Sequence, residues 1–115
     1  MPYNEQMADR IRMLLDAAGV DVTEKKMFSG LSFLVNGKLC VSVAKNDRVL
    51  LRLSPDDFNE AAEVNGAEVM MHNGKMMKGY VFIHAYELDT DKKLQLWVDK
   101  ALAFNPYAKA TGAKK

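Results

Sequence analysis

The sequence predicts an α+β domain, an antiparallel sheet of five or six strands with flanking helices in the chain order α-β(3-4)-α-β(2)-α. Three observations predict it. Apolar residues recur at helical spacing in three separate segments. Between the first two of those segments, apolar and polar residues alternate with the two-residue period of strands, and two further strand-like runs precede the third. Finally, Asn36-Gly37 and Asn73-Gly74 interrupt the strand-like intervals, and Asn-Gly is the preferred pair for a two-residue hairpin turn, where both positions need positive φ.

The first helix rests on Met7, Ile11, Leu14, Leu15 and Ala18, which fall at i, i+4, i+7, i+8 and i+11. Asn4 is placed to cap its start, Glu5 suits its first turn, and Gly19 suits its end. Residues 20–27 read as a short edge strand with a polar middle in Thr23, Glu24, Lys25 and Lys26. In residues 31–35, Leu31, Phe33 and Val35 alternate with Ser32 and Leu34. They should pair across Asn36-Gly37 with residues 38–44. A second reversal at Lys45-Asn46-Asp47 leads into residues 49–53. Ser54 then caps a helix with Pro55 in its first position and Asp56 and Asp57 against its dipole. Phe58, Ala61, Ala62 and Val64 or Asn65 form its buried side, and Gly66 stops it. Residues 67–71 and 80–84 read as two further strands, joined by the Asn73-Gly74 turn and a less regular connection. Asp89 or Thr90 caps the last helix, whose inner face carries Leu94, Trp97, Val98, Ala101 and Leu102. Pro106 ends it. The domain is therefore expected to span residues 1–104, followed by a flexible tail over residues 105–115.

A chain of 115 residues suits one domain, and 49% hydrophobic residues are enough for a core without disulfides or metals. The net charge of +1 gives no global attraction to nucleic acid or acidic lipid. Cys40, the single cysteine, excludes an internal disulfide and fits a reducing compartment. Residues 1–4 lack the basic start of a secretory signal, and no apolar run approaches the roughly 18 residues of a membrane span. A cytoplasmic protein without membrane contact is expected.

Each chemically suggestive group also has a structural reading. Cys40 lies in mid-strand with no neighbouring base, so it reads as a small buried hydrophobe. His72 falls in a turn and His84 in a strand, neither with a second ligand at a telling spacing. "MMHNGKMM", residues 70–77, sets methionine pairs around a histidine. Thioethers favour Cu(I), which gives a metal carrier as a minor alternative. Met70 and Met71, however, should point to opposite faces of a strand. Asp56, Asp57, Glu60 and Glu63 are explained by a helix N-terminus and an exposed face. Lys25, Lys26, Arg48, Arg52, Lys75 and Lys78 could contact phosphates if they shared a surface, though solvated surface is the simpler reading. No GxGxxG, P-loop, HExxH, GxSxG or CxxC pattern occurs.

The segment "VTEKKMFSGLSFLVNGKLCVSV", with Met27-Phe28-Ser29-Gly30 ahead of a strand and an Asn-Gly-Lys turn, resembles the N-terminal domain of TfoX/Sxy-type proteins. In that family a Met-Phe-Gly-Gly-like step stands there, so Ser29 replaces its first glycine. "MMKGYVFI" (residues 76–83) and "LDTDKKLQLWVDKAL" (residues 88–102) resemble the family's second strand pair and final helix. The likeness runs from about Asn4 to Phe104. It implies an α+β fold, and no established catalytic residues come with it. Full-length members carry a further helical domain and act as positive regulators of competence genes beside a cyclic-AMP receptor-type activator. This chain is expected to be the stand-alone domain.

The resulting expectation is a non-enzymatic regulatory or protein-interaction module with no cofactor and no metal. Its expected partners are proteins, the transcription machinery among them, with a homodimer as one form. Direct nucleic-acid binding is the alternative, without support from net charge. The candidate contact residues are those of the two Asn-Gly turns and their flanks: Asn36, Gly37 and Lys38, and Lys75, Met76, Met77 and Lys78.

Overall fold

The computed structural model describes residues 4–27, 30–45, 47–64 and 66–107, without the side chains of Met27, His72 and Lys78. Readings that concern Phe28, Ser29, Asn46, Asn65, residues 108–115 or those three side chains lie outside the described residues. Each of the three helices starts where a short polar side chain satisfies a free amide. Asn4 Oδ1 accepts from the Met7 N–H at 3.1 Å and opens α1 (Glu5–Ala18). Ser54 Oγ accepts from the Asp57 N–H at 3.3 Å and opens α2 (Pro55–Ala62). Thr90 Oγ1 accepts from the Lys93 N–H at 3.2 Å and opens α3 (Asp91–Phe104), so Thr90 and not Asp89 is the cap. α2 is shorter than its apolar spacing suggests: it ends at Ala62, with Glu63 as its cap, before Gly66 is reached.

Six strands form one antiparallel sheet: β1 (Val22–Met27), β2 (Gly30–Val35), β3 (Lys38–Ala44), β4 (Arg48–Arg52), β5 (Ala67–His72) and β6 (Lys75–His84). Their order across the sheet is β1-β2-β3-β4-β6-β5. The first four form a meander. α2 then carries the chain past the next position to the far edge, and the last hairpin returns β6 to the gap beside β4. The strand bounds differ from the sequence reading most at β6, which starts directly after the Asn73-Gly74 turn at Lys75 and not at Tyr80.

The irregularity expected between the two strands lies inside β6. Val69 stands opposite Val81, yet Met71 stands opposite Met76. β5 advances two residues while β6 advances five, so β6 accommodates three extra residues over positions 77–80. Gly79, at φ 91°, lies in this bulge and takes a conformation that a side chain would strain.

All three helices pack on one face of the sheet. Ile11 and Leu15 of α1, Phe58 and Ala61 of α2, and Leu94, Trp97, Val98 and Ala101 of α3 share one buried cluster with Phe33, Val41, Val43, Val49, Leu51, Val81 and Ile83. The other face departs from simple alternation. Ser32, Leu34, Leu39, Ser42, Ala44 and Leu50 are buried too, although they lie outside that cluster, so every residue of β2 is buried. The two serines satisfy each other there. Ser42 Oγ donates to the Leu31 carbonyl at 3.2 Å, which leaves the Ser32 hydroxyl to donate to Ser42 Oγ at 2.9 Å. On the same face, Arg48 crosses the Phe82 ring at 4.1 Å to bond Glu68 of β5 at 2.7 Å.

The ordered chain continues past the boundary read after Phe104. Residues Asn105–Tyr107 form a 3₁₀ turn in which Asn105 is buried and its side-chain amide donates to the Val35 carbonyl at 3.1 Å.

Candidate interaction surface

The strand register decides where the two Asn-Gly turns go. Val41, Leu51 and Val81 stand side by side on β3, β4 and β6. Counting from that row, both Asn36-Gly37 and Asn73-Gly74 lie toward the same end of the sheet. The candidate residues therefore share one end of the molecule, but they do not share one role. Asn36 and Gly37 are exposed. Lys38 is half-buried, and its ammonium donates to the carbonyl oxygens of Asn105 at 3.3 Å and Pro106 at 3.4 Å, which fastens the chain after α3 to the β2–β3 hairpin. Lys75 and Met76 are exposed and Met77 is half-buried. The side chain of Lys78 is outside the description.

Met71, read in the sequence as part of the methionine–histidine stretch and not as a contact residue, is 58% exposed and stands directly opposite Met76, itself 48% exposed. Two large apolar side chains thus face solvent together beyond the bulge, on the stretch where β5 and β6 pair only with each other. Behind Met76 the surface opens into a cavity lined also by Arg52, Leu53, Pro55, Phe58, Asn59, Gly79, Tyr80 and Phe104. The Arg52 guanidinium lies over the Tyr80 ring at 5.3 Å. A second, more open cleft lies between α1 and β1. There Arg12 bonds both Glu24 carboxylate oxygens, at 2.7 and 3.0 Å, and holds the Glu24 carboxyl below its usual range.

Cys40 is buried, and its thiol is pushed up to about 12 by desolvation, with the Arg52 charge pulling weakly the other way. A thiol so disposed is protonated at neutral pH and is a poor nucleophile. The folded chain holds this proton to higher pH than the unfolded chain does. Its contribution to stability is therefore complete below the ordinary thiol value near 9 and is lost as pH rises toward 12. Native protein at pH 8 should resist a thiol-directed aromatic disulfide until it unfolds, and Cys40→Ala should flatten the loss of stability above pH 9. Prompt labelling of the native thiol would show that Cys40 is accessible.

The other suggestive groups are placed as follows. His84 stacks on Tyr86, with ring centroids 5.2 Å apart, and its Nε2 lies 3.7 Å from Glu68. Among the described residues, no three of the His, Cys, Asp and Glu side chains converge as metal ligands. Asp57 and Glu60 bond Lys100 at 3.1 and 3.5 Å and so tie α2 to α3. Lys25 and Lys26 are neighbours on edge strand β1, far across the sheet from Lys75, while Arg48 is bonded to Glu68.

An antiparallel sheet with helices on one face and a methionine-bearing hairpin at one end defines a small two-layer α+β domain. This chain belongs to the TfoX N-terminal domain family, whose sequence model matches residues 14–105. No curated protein and no solved structure matches it. Among the described residues, no helix is long and apolar enough to cross a membrane.

Proposed function

We propose that this domain is a non-enzymatic interaction module of the regulatory type, acting in the cytoplasm through a protein partner. The family match supports the regulatory reading. One observation carries the interaction reading: Met71 and Met76 are exposed side by side on the β5–β6 hairpin, past the end of β4. Methionine side chains adapt to varied partners, and a two-stranded ribbon without further support gains from being covered. Lys75 at the turn adds a cation to this apolar pair. The transcription machinery and a second copy of the chain are the candidate partners.

The test is affinity purification at near-physiological salt, with and without nuclease, using the unaltered chain and a Met71→Lys variant. Met71 is exposed, so the substitution should leave stability within about 0.5 kcal/mol. Recovery of a protein partner should survive nuclease and fall by about tenfold in the variant, the loss expected when an interface anchor is replaced. Equal recovery by both proteins would overturn the assignment of the hairpin. Recovery that vanishes with nuclease would replace it with nucleic-acid binding.

A further inference from the structure

β1 is the sheet edge opposite to the β5–β6 hairpin, and it pairs with β2 along its whole length. The Asn36 N–H donates to the Asp21 carbonyl at 3.0 Å, so the backbone of Asp21 faces β2. Alternate residues of an antiparallel strand turn their backbone groups to the same side. Thr23 and Lys25 therefore bond β2, whereas the N–H and C=O groups of Val22, Glu24 and Lys26 point away from the sheet. Glu24 stands opposite Phe33 of the buried cluster, so the side chains of Val22, Glu24 and Lys26 lie on the helix face. Lys25, opposite Ser32, lies on the other face.

Beside the outward row, a cleft of about 490 Å³ separates α1 from β1, with Met13, Leu15, Val20 and Val22 as its apolar wall. The charges along the strand are not balanced. Glu24 is taken up by Arg12. Lys25 and Lys26 are exposed and, among the described residues, have no hydrogen-bond or ion-pair partner. Asp16, the remaining carboxylate of the cleft lining, lies one turn further along α1, toward its join with β1 and away from the lysines. Lysines on an edge strand ordinarily keep it from pairing. Here they reject a second copy of β1. Two copies related by a two-fold axis would set Glu24 opposite Glu24 or Lys25 opposite Lys25 in the two registers that overlap most of the strand, and like charges in that position repel. A strand that brings carboxylates to the lysines meets no such obstacle.

We propose that β1 takes up an extended acidic segment of a partner protein as a further antiparallel strand, whose centre reads acid, acid, any residue, any residue, apolar. Antiparallel pairing continues that of every neighbour in the sheet. The two acids stand opposite Lys26 and Lys25, one on each face, and the apolar residue stands opposite Val22 beside the cleft. Backbone bonds to Val22, Glu24 and Lys26 supply the affinity, and the two lysines with the cleft supply the selectivity. This edge lies across the sheet from Met71 and Met76, so the inference does not depend on the contact proposed for that hairpin.

Fluorescence anisotropy of labelled peptides with the full chain at low salt tests this. The peptide TEETTLT, blocked at both ends, should bind saturably, and TKKTTLT and TEETTST should each bind about tenfold more weakly or worse. The double variant Lys25→Glu, Lys26→Glu should invert the preference and favour TKKTTLT. N-methylation of the first threonine after the acids removes an N–H aimed at Glu24 and should abolish most of the binding. N-methylation of the next threonine, whose N–H points away from β1, should not. Backbone amide shifts on addition of TEETTLT should centre on Val22, Glu24 and Lys26. No binding, equal binding of acidic and basic peptides, indifference to the first N-methyl group, or shifts centred on β5 would each overturn the proposal. Displacement of the peptide by a single-stranded oligonucleotide at equal concentration would overturn it in favour of nucleic acid. Should the double variant fail to fold, the comparison of peptides on the unaltered protein still decides it.

Discussion

Phe33→Ala should lower the stability of the domain by about 3–5 kcal/mol, the range for removing a fully buried aromatic ring. Phe33 is at 0% exposure in β2, in the same cluster as Ile11 and Leu15 of α1, and Arg12 lies 5.9 Å from its ring centroid. The truncation therefore opens a cavity between α1 and the sheet, and the strand backbone cannot collapse to fill it. Small domains are stable by about 5–15 kcal/mol in total, so this single change should leave the variant marginal at 37 °C. Urea unfolding followed by far-ultraviolet dichroism reads it directly. Met13→Ala, on the same helix but 72% exposed, is the control and should move the midpoint hardly at all. Equal effects of the two substitutions would mean that α1 does not pack on this face.

The second large effect is expected at Gly30, and it separates two uses of glycine. Gly30 is buried at the start of β2. A Cβ there would collide with the Val43 carbonyl oxygen and come within 2.9 Å of the Ala44 Cα. Both obstacles are backbone and cannot rotate away, so β2 and β3 must separate. Gly30→Ala should cost about 3 kcal/mol, the upper part of the range for overpacking. Gly37 is the opposite case. It has open space around it and a φ of 79°, so the cost of Gly37→Val is one of backbone conformation alone, about 1–2 kcal/mol. Denaturant midpoints should rank Gly30→Ala below Gly37→Val and both below the unaltered chain. The reverse order would show that turn geometry, and not strand approach, limits the hairpin.

Much of the architecture was legible because local chemistry agrees with tertiary need. Asn4, Ser54 and Thr90 are capping residues in the sequence and caps in the fold. Both Asn-Gly pairs form turns with positive φ at each residue. Alternation does not say whether the second face of a strand is wet. Ser32 and Ser42 lie on that face and both are fully buried, since their hydroxyls satisfy each other and the Leu31 carbonyl. The extent of β6 was hidden for a different reason. A bulge of three residues breaks the two-residue period, and Gly79 then reads as the end of a loop when it lies inside a strand.

The contact residues show the same division. The turn flanks were visible as Asn-Gly-Lys, but Lys38 and Lys75 have identical local sequence and opposite fates. Lys38 reaches back to the carbonyls of Asn105 and Pro106, whereas Lys75 faces solvent, because the carbonyls that follow α3 come within reach of the Lys38 ammonium. Met71 carried no signal that set it apart from Met70. The pairing of Met71 with Met76 across the hairpin sets it apart, and pairing is a property of register.

The sequence by itself determined the three helices and the strands between them, their order, the N-caps at Asn4 and Ser54 and the two Asn-Gly turns, since each depends on residues within a few positions of one another. It also carried the family, through motifs spread along the chain. Only the tertiary structure decided that β6 lies between β4 and β5, that both turns project from one end, and that Arg52, Phe58, Tyr80 and Phe104 surround one cavity. These depend on which strand pairs with which and where a bulge falls. Such contacts join residues tens of positions apart, and no local periodicity records them.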